Sequence, residues 1–306
     1  MIIGASLGGF RDLSLEQVIE LYLKLSEEFN LKAVEIRFER EGCRPSLWHW
    51  EVDEMIRDFL GNFEVTGAHL PFVYLNPISQ NPYISEISIS QLKSAIEKAS
   101  NLGMNYCVMH ARGFNYALTP EEEFNEWKRV IEELVRCAEE NSILLALENA
   151  DFLHDLSMLV KIVREIDSKW LRIAFDVGHA HIKRVAPLSP YPIKDLVLRA
   201  LDIFLPLSLI KRNMPYEAYS SIENFIESEL DLISVIHIHD YNGRQDHLPI
   251  GEGKIDFSFL SKLVDSERVL ILEVEFENQY EDFRKSYLML RRLLKDERNR
   301  NWGCIR

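Results

Sequence analysis

The chain has 306 residues, of which 47% are hydrophobic, and a formal charge of −14. That is ample material for a core, and the length suits one α/β barrel as well as two smaller domains. The acidic balance speaks against a broad nucleic-acid surface, although a cation held in a cleft would not show in a residue count, and no apolar run approaches the roughly 20 residues of a membrane span.

The opening MIIGASLGGF has no basic segment ahead of an apolar one, so no signal peptide is expected. Cys43, Cys107, Cys137 and Cys304 are scattered without a CxxC pair. They read as reduced thiols, and the expected location is cytoplasmic.

Strand and helix patterns then alternate along the chain. Ile2 to Leu7 reads as a first strand, followed by a helix over Ser14 to Phe29 whose Ser14 and Gln17 have capping-box spacing. A second strand is expected over Leu31 to Phe38 with a helix near Trp48 to Leu60. A third covers Glu64 to Leu70 with a helix over Ser90 to Leu102. The fourth, Tyr106 to Ala111, precedes a long helix opened by Thr119-Pro120 and running to Asn141. Ile143 to Asn149 is the fifth, with a helix over Asp155 to Ile166, and Leu171 to Asp176 is the sixth. Leu232 to Asp240 and Val269 to Phe276 complete the set, and a helix from Tyr280 to Arg298 follows. Near-continuous apolar strands separated by amphipathic helices match parallel strands buried on both faces. Their number predicts a single TIM-type (β/α)8 barrel over residues 1–306; an open doubly wound sheet would call for a GxGxxG or Walker pattern, and none is present.

One segment breaks the rhythm. Residues 182–231, with the Pro-rich entry APLSPYPIKD, are longer than a crossover helix needs. They are expected to form a helical insertion between the sixth and seventh strands, with helices near Ile193 to Ile203 and Tyr216 to Leu230. It is either an elaborated helical layer or a lid or subunit contact at the barrel mouth.

Charged and imidazole groups gather at the same end of successive strands. Glu35, His69, His110 and Glu148 close the second to fifth strands. Asp176 and His179 follow the sixth, His237 and His239 mark the seventh, and Glu273 and Glu275 the eighth. Barrel enzymes place their chemistry at these C-terminal strand ends. Taken singly, a strand-end histidine is commonly a hydrogen-bonded rim residue and a lone glutamate commonly pairs with a cation. The whole series has few cations to pair with (Arg37 and Arg112), so a divalent metal is the economical counter-charge. The stretch Val235 to Gly253, VIHIHDYNGRQDHLPIGEG, adds His247 to the set on the loop after the seventh strand.

The segments GAHLPF, VMHAR, ALENAD, AFDVGHAHI, IHIHDYNGRQDHLPIGEGKIDF and ILEVEF resemble the xylose isomerase-like TIM-barrel superfamily. That superfamily unites sugar and sugar-phosphate isomerases and epimerases with endonuclease IV, the family-2 AP endonucleases. Resemblance to the epimerase branch implies one Mn, Mg, Co or Zn ion held by Glu148, Asp176, His237 and Glu273. Glu148 and Glu273 would also move the proton through an enediolate, while His179, Glu35 and His239 are candidates for substrate oxygens. Resemblance to endonuclease IV implies up to three zinc ions, with His69, His110, His179 and His247 as further ligands and DNA as the partner.

This chain departs from the nuclease pattern at one telling place. Where endonuclease IV carries an aspartate two residues before the histidine matching His247, this chain has Gln245. A neutral amide is a poor zinc ligand, and Asp246 is adjacent to His247 rather than two residues before it. ADFLHD and DVGHAHIKR depart from the nuclease as well. The expectation is therefore a metal-dependent sugar or sugar-phosphate isomerase or epimerase, with an AP endonuclease as the alternative. A homo-oligomer is compatible with the fold, and no membrane partner is expected.

Overall fold

Strands β1 (Ile2–Ser6), β2 (Ala33–Arg37), β3 (Val65–His69) and β4 (Tyr106–Met109) pair in chain order with β5 (Leu144–Glu148), β6 (Leu171–Asp176), β7 (Ile233–Ile238) and β8 (Val269–Leu272). Every pairing is parallel, and β8 returns to β1 to close the barrel. The computed structural model describes residues 1–10, 13–38, 53–115, 117–181, 219, 221–263, 268–275 and 278–303. The expected single (β/α)8 barrel is the observed fold.

The helices between strands are α1 (Leu15–Phe29), α2 (Asp53–Leu60), α3 (Pro82–Asn101), α4 (Pro120–Glu140) and α5 (Leu156–Ile166). A short α6 (Val177–His181), then α7 (Ile222–Glu229) and α8 (Gln279–Gly303), complete the described set. Local chemistry fixes several starts. Ser14 and Gln17 close the expected capping box on α1, and Thr119 with Glu122 closes another on α4 behind Pro120. Helix α3 begins eight residues earlier than its apolar periodicity indicates. Asn81 caps it by accepting from the Tyr83 N–H at 3.1 Å, and Ser85 and Ser88 turn their hydroxyls onto the carbonyls of Pro77 and Ile84, so a serine-rich stretch is accommodated as helix.

Strand ends differ from the sequence expectation at the mouth. β7 stops at Ile238, leaving His239 just beyond it, and β8 stops at Leu272, leaving Glu273 and Glu275 past its end. The ladder gives way there to loop contacts, since Glu275 N–H donates to the His247 carbonyl at 2.9 Å. Most of the insertion expected over 182–231, including the helix near Ile193 to Ile203, lies outside the described residues. So do Cys43, Cys304 and the start of the helix expected near Trp48. From the insertion's second helix the described part is α7.

Two apolar layers hold the barrel. Leu, Ile, Val, Phe and Trp side chains, among them Phe10, Leu25, Trp127, Leu145 and Phe225, fill the space between sheet and helices. Inside the barrel a smaller plug of Ala33, Tyr106, Val108, Ala146, Ala174, Val235, Val269 and Ile271 fills the axis. Alternate strand residues share a face, so stepping two positions up from the plug leads directly to the polar mouth. Ala33 leads to Glu35, Val108 to His110, Ala146 to Glu148, Ala174 to Asp176, Val235 to His237 and Ile271 to Glu273. Among the described residues no helix is long and apolar enough to cross a membrane.

Candidate metal centre at the barrel mouth

Glu148, at the top of β5, is the hub. Its Oε2 lies 3.0 Å from His110 Nε2, 3.4 Å from His237 Nδ1 and 3.5 Å from His69 Nε2. Its Oε1 lies 2.9 Å from His179 Nδ1. On the far side of His237 Nδ1, Glu273 Oε2 sits at 2.7 Å. His69, Glu148, Asp176 and His237 are fully buried, as are Glu35 and His239 beneath and beside them.

Proximity here is not matched by hydrogen-bond geometry. Both Glu148 oxygens, His179 Nδ1 and His237 Nδ1 are buried without an acceptably aligned hydrogen-bond partner. Buried polar atoms in that condition are costly unless something else satisfies them. The ligand atoms of each grouping lie within 4.8 Å of one another, a spacing that a divalent cation between them would satisfy. Three groupings of closely spaced ligand atoms use Glu148: with His69 and His110, with Asp176 and His179, and with His237 and Glu273. Imidazole and carboxylate donors suit Zn, Mn or Co, so the residues fit the group. The four residues expected to hold one ion divide between two of these groupings, Asp176 standing with His179 and His237 with Glu273. His179, His239 and His247 form a further grouping above them. Gln245 is exposed and its N–H is turned onto the Asn242 side chain, while Asp246 contacts His247 Nδ1 at 3.3 Å.

A shell of supporting groups surrounds these atoms. Glu35 Oε2 lies 3.0 Å from His237 Nε2 and accepts from Tyr106 Oη–H at 3.1 Å. A carboxylate behind a histidine fixes which nitrogen faces the site. Tyr106 reaches Glu35 because Gly67 leaves room; a Cβ there would collide with the Tyr106 ring. Arg37 donates to Glu273 Oε1 at 2.8 Å, and Asp151 Oδ2 lies 3.2 Å from His110 Nδ1. Asn149 exchanges two bonds with the backbone of Asp176. Asp240 is the anchor of the following loop, its two oxygens accepting from the N–H groups of Tyr241, Gly251, Gly253 and Ile255. Gly253 is required there, because a Cβ would collide with the Asp240 carboxylate. Sequence reading gave no role to Tyr106 or Asp151, and counted Asp240 only among the carboxylates gathered after the seventh strand. The plainest signal was the HD step of His239-Asp240 ahead of a glycine-rich GEG.

On Glu148, Glu273, His110, His237 and His239 burial opposes charge, and attraction between neighbours overrides it. Burial pulls the His110 pKa down, but Glu148 and Asp151 hold it up at about 10. His237 is driven well upward against burial by Glu35 and Glu273. Against the same burial, Glu148 is kept well below the usual carboxylate range chiefly by His110, and Glu273 chiefly by His237 with help from Arg37. Asp176 draws the His239 pKa up to about 9 against burial, yet His239 Nδ1 accepts the His247 N–H at 2.8 Å and so has no place for a second proton. A cation bound among these groups would displace protons from the histidines whose pKa values are raised.

The chain belongs to the xylose isomerase-like TIM barrel family, whose model matches residues 23–293. The uncharacterized protein MJ1311 of Methanocaldococcus jannaschii is 29% identical over 225 residues, covering 69% of this chain and 64% of that protein. The match thus spans less than two thirds of that relative. Among solved structures, a D-tagatose 3-epimerase-like protein superposes with a TM-score of 0.71 at 25% identity, over 98% of this chain and 99% of that one. Endonuclease IV from Thermus thermophilus superposes at 0.59 with 20% identity, over 97% and 100%.

Proposed function

We propose that the protein is a divalent-metal-dependent isomerase or epimerase of a sugar or sugar phosphate. The observation that carries this reading is the pair of buried glutamates, Glu148 and Glu273, flanking His237 Nδ1 at 3.4 and 2.7 Å at the floor of the mouth. Glu148, His237 and Glu273, with Asp176 and His179 beside them, would hold the ion. When bound it would polarise a carbonyl and offset the negative charge that develops on deprotonation.

The chain's own groups supply the proton transfers. Glu273 is held ionised at neutral pH by His237 and Arg37, so it can take the proton from the carbon beside the carbonyl. Glu148, on the other side, would return a proton to the neighbouring position or the opposite face after taking one up from solvent, to which Glu273 gives up its own. Arg37 aligns Glu273, and Glu35 with Tyr106 keeps His237 Nδ1 turned toward the site. The greater likeness to the epimerase-like structure than to endonuclease IV supports this reading, as does the exposed Gln245.

One observation favours the alternative, an endonuclease IV-like AP endonuclease. His69 and His110 join Glu148 in a grouping of their own, so that Glu148 would serve two ion positions, the arrangement that supplies two-metal phosphoester hydrolysis. His110→Ala separates the two. For a sugar isomerase using the His237 side alone, it leaves ketose turnover within about tenfold, whereas a nuclease dependent on the bridged pair loses cleavage of abasic-site DNA by about 10²-fold or more, in line with loss of a group acting on the reacting atoms. Loss of sugar turnover on the same scale would contradict this division of roles.

A further inference from the structure

The uppermost grouping at the mouth, His179, His239 and His247, has the composition of a three-histidine metal site, and its geometry argues otherwise. A ring-nitrogen lone pair lies in the plane of its ring, and a zinc ion sits about 2.0–2.1 Å along it. The rings of His239 and His247 are stacked, 6° from parallel with centroids 4.2 Å apart. Planes so nearly parallel do not meet within ligand distance, so the two imidazoles cannot aim at one ion.

Hydrogen bonding shows which of the two is withheld. His247 has a left-handed backbone, φ 54°, which turns its N–H back onto His239 Nδ1 at 2.8 Å. A backbone N–H can only donate, so Nδ1 accepts and carries no hydrogen. The 3.2 Å approach of Nδ1 to the Asp240 carbonyl is then a contact between two acceptors and not a hydrogen bond. The ring's proton is on Nε2, which lies 3.1 Å from each oxygen of Asp176. The ring is fully buried, and it rests against Gly178, where any Cβ would collide with it.

We infer that His239 is a positioning residue for Asp176, locked as the Nε2–H tautomer by the His247 backbone, and that it holds no metal ion. The three upper histidines therefore do not make a shared three-ligand ion site. The inference rests on the metal-dependent reading above only in giving Asp176 a ligand's task.

Histidine-labelled protein examined by long-range ¹H–¹⁵N correlation, without metal and after titration with Zn(II), tests it. His239 should show the Nε2–H pattern in both states while histidines around Glu148 respond to zinc. His239→Ala should lower zinc affinity about 10- to 100-fold, the scale on which outer hydrogen-bond partners act, with the number of ions per chain unchanged. His239→Gln, whose amide N–H can reach the Asp176 oxygens, should recover most of that loss. Loss of the Nε2 proton of His239 on zinc binding, or one ion fewer in His239→Ala, would overturn the inference. If zinc moved no histidine at all, the metal-dependent reading would fall, while an Nδ1–H pattern in the metal-free protein would separately overturn the assignment of His239.

Discussion

Glu148 carries more of the site than any neighbouring residue, because three of the groupings that could hold an ion include it. Glu148→Gln keeps its shape and removes its charge, and should cut turnover by about 10²- to 10⁴-fold, the range for a positioned acid or base. Zinc affinity should fall with it, and isothermal titration of the folded variant is the check. Wild-type affinity should leave a variant with unchanged turnover only if Glu148 is a bystander. Protons follow from the same network. His110 and His237 are held protonated by Glu148, Glu35 and Glu273, and a histidine must lose its proton to bind a metal. Metal uptake should therefore release protons, and apparent affinity should rise with pH until His110 titrates at about 10. The stability linkage of the metal-free protein has the matching sign. The raised histidines stabilise it fully below pH about 6.5 and lose that contribution as pH rises through the folded values. Calorimetry in buffers of different ionisation enthalpy reads the proton count, and a count of zero would refute the network.

At the level of elements, the loop from Asp240 to Ile255 is held by one buried carboxylate accepting four backbone N–H groups. Asp240→Ala strands those donors and should cost about 3 kcal/mol, seen as a lower urea midpoint with an unchanged slope. A loss under about 0.5 kcal/mol would show that the loop is held elsewhere. Gly253→Ala should be similarly damaging, since its Cβ would occupy the Asp240 carboxylate position. The strands and the charged and imidazole groups at their C-terminal ends were legible in the sequence, because both depend on local pattern. Helix α3 was legible only in part, since its first turns depend on serine hydroxyls bonding back to carbonyls. The tasks of Tyr106, Asp151 and Asp240 were not legible. Each acts through partners that register or loop closure brings near, as Gly67 does for Tyr106, and no spacing rule encodes them.

For the whole molecule, the barrel gathers Glu35, Glu148, Asp176 and Glu273 into one buried region, with Arg37 in contact with Glu273. Such a concentration of charge is held at a cost to stability unless protons or a cation offset it. Zinc or manganese should therefore raise the melting temperature, by an amount that grows with the logarithm of free metal above its Kd. The central claim is that the two glutamates beside His237 move a proton on a sugar. Its most direct test is incubation of the manganese-loaded protein in D2O with a panel of ketoses and ketose phosphates, followed by NMR. The account predicts deuterium entering at the carbon beside the carbonyl of at least one sugar, and none with Glu273→Gln. Absence of exchange across the panel, together with cleavage of an abasic-site oligonucleotide by the same preparation, would contradict it.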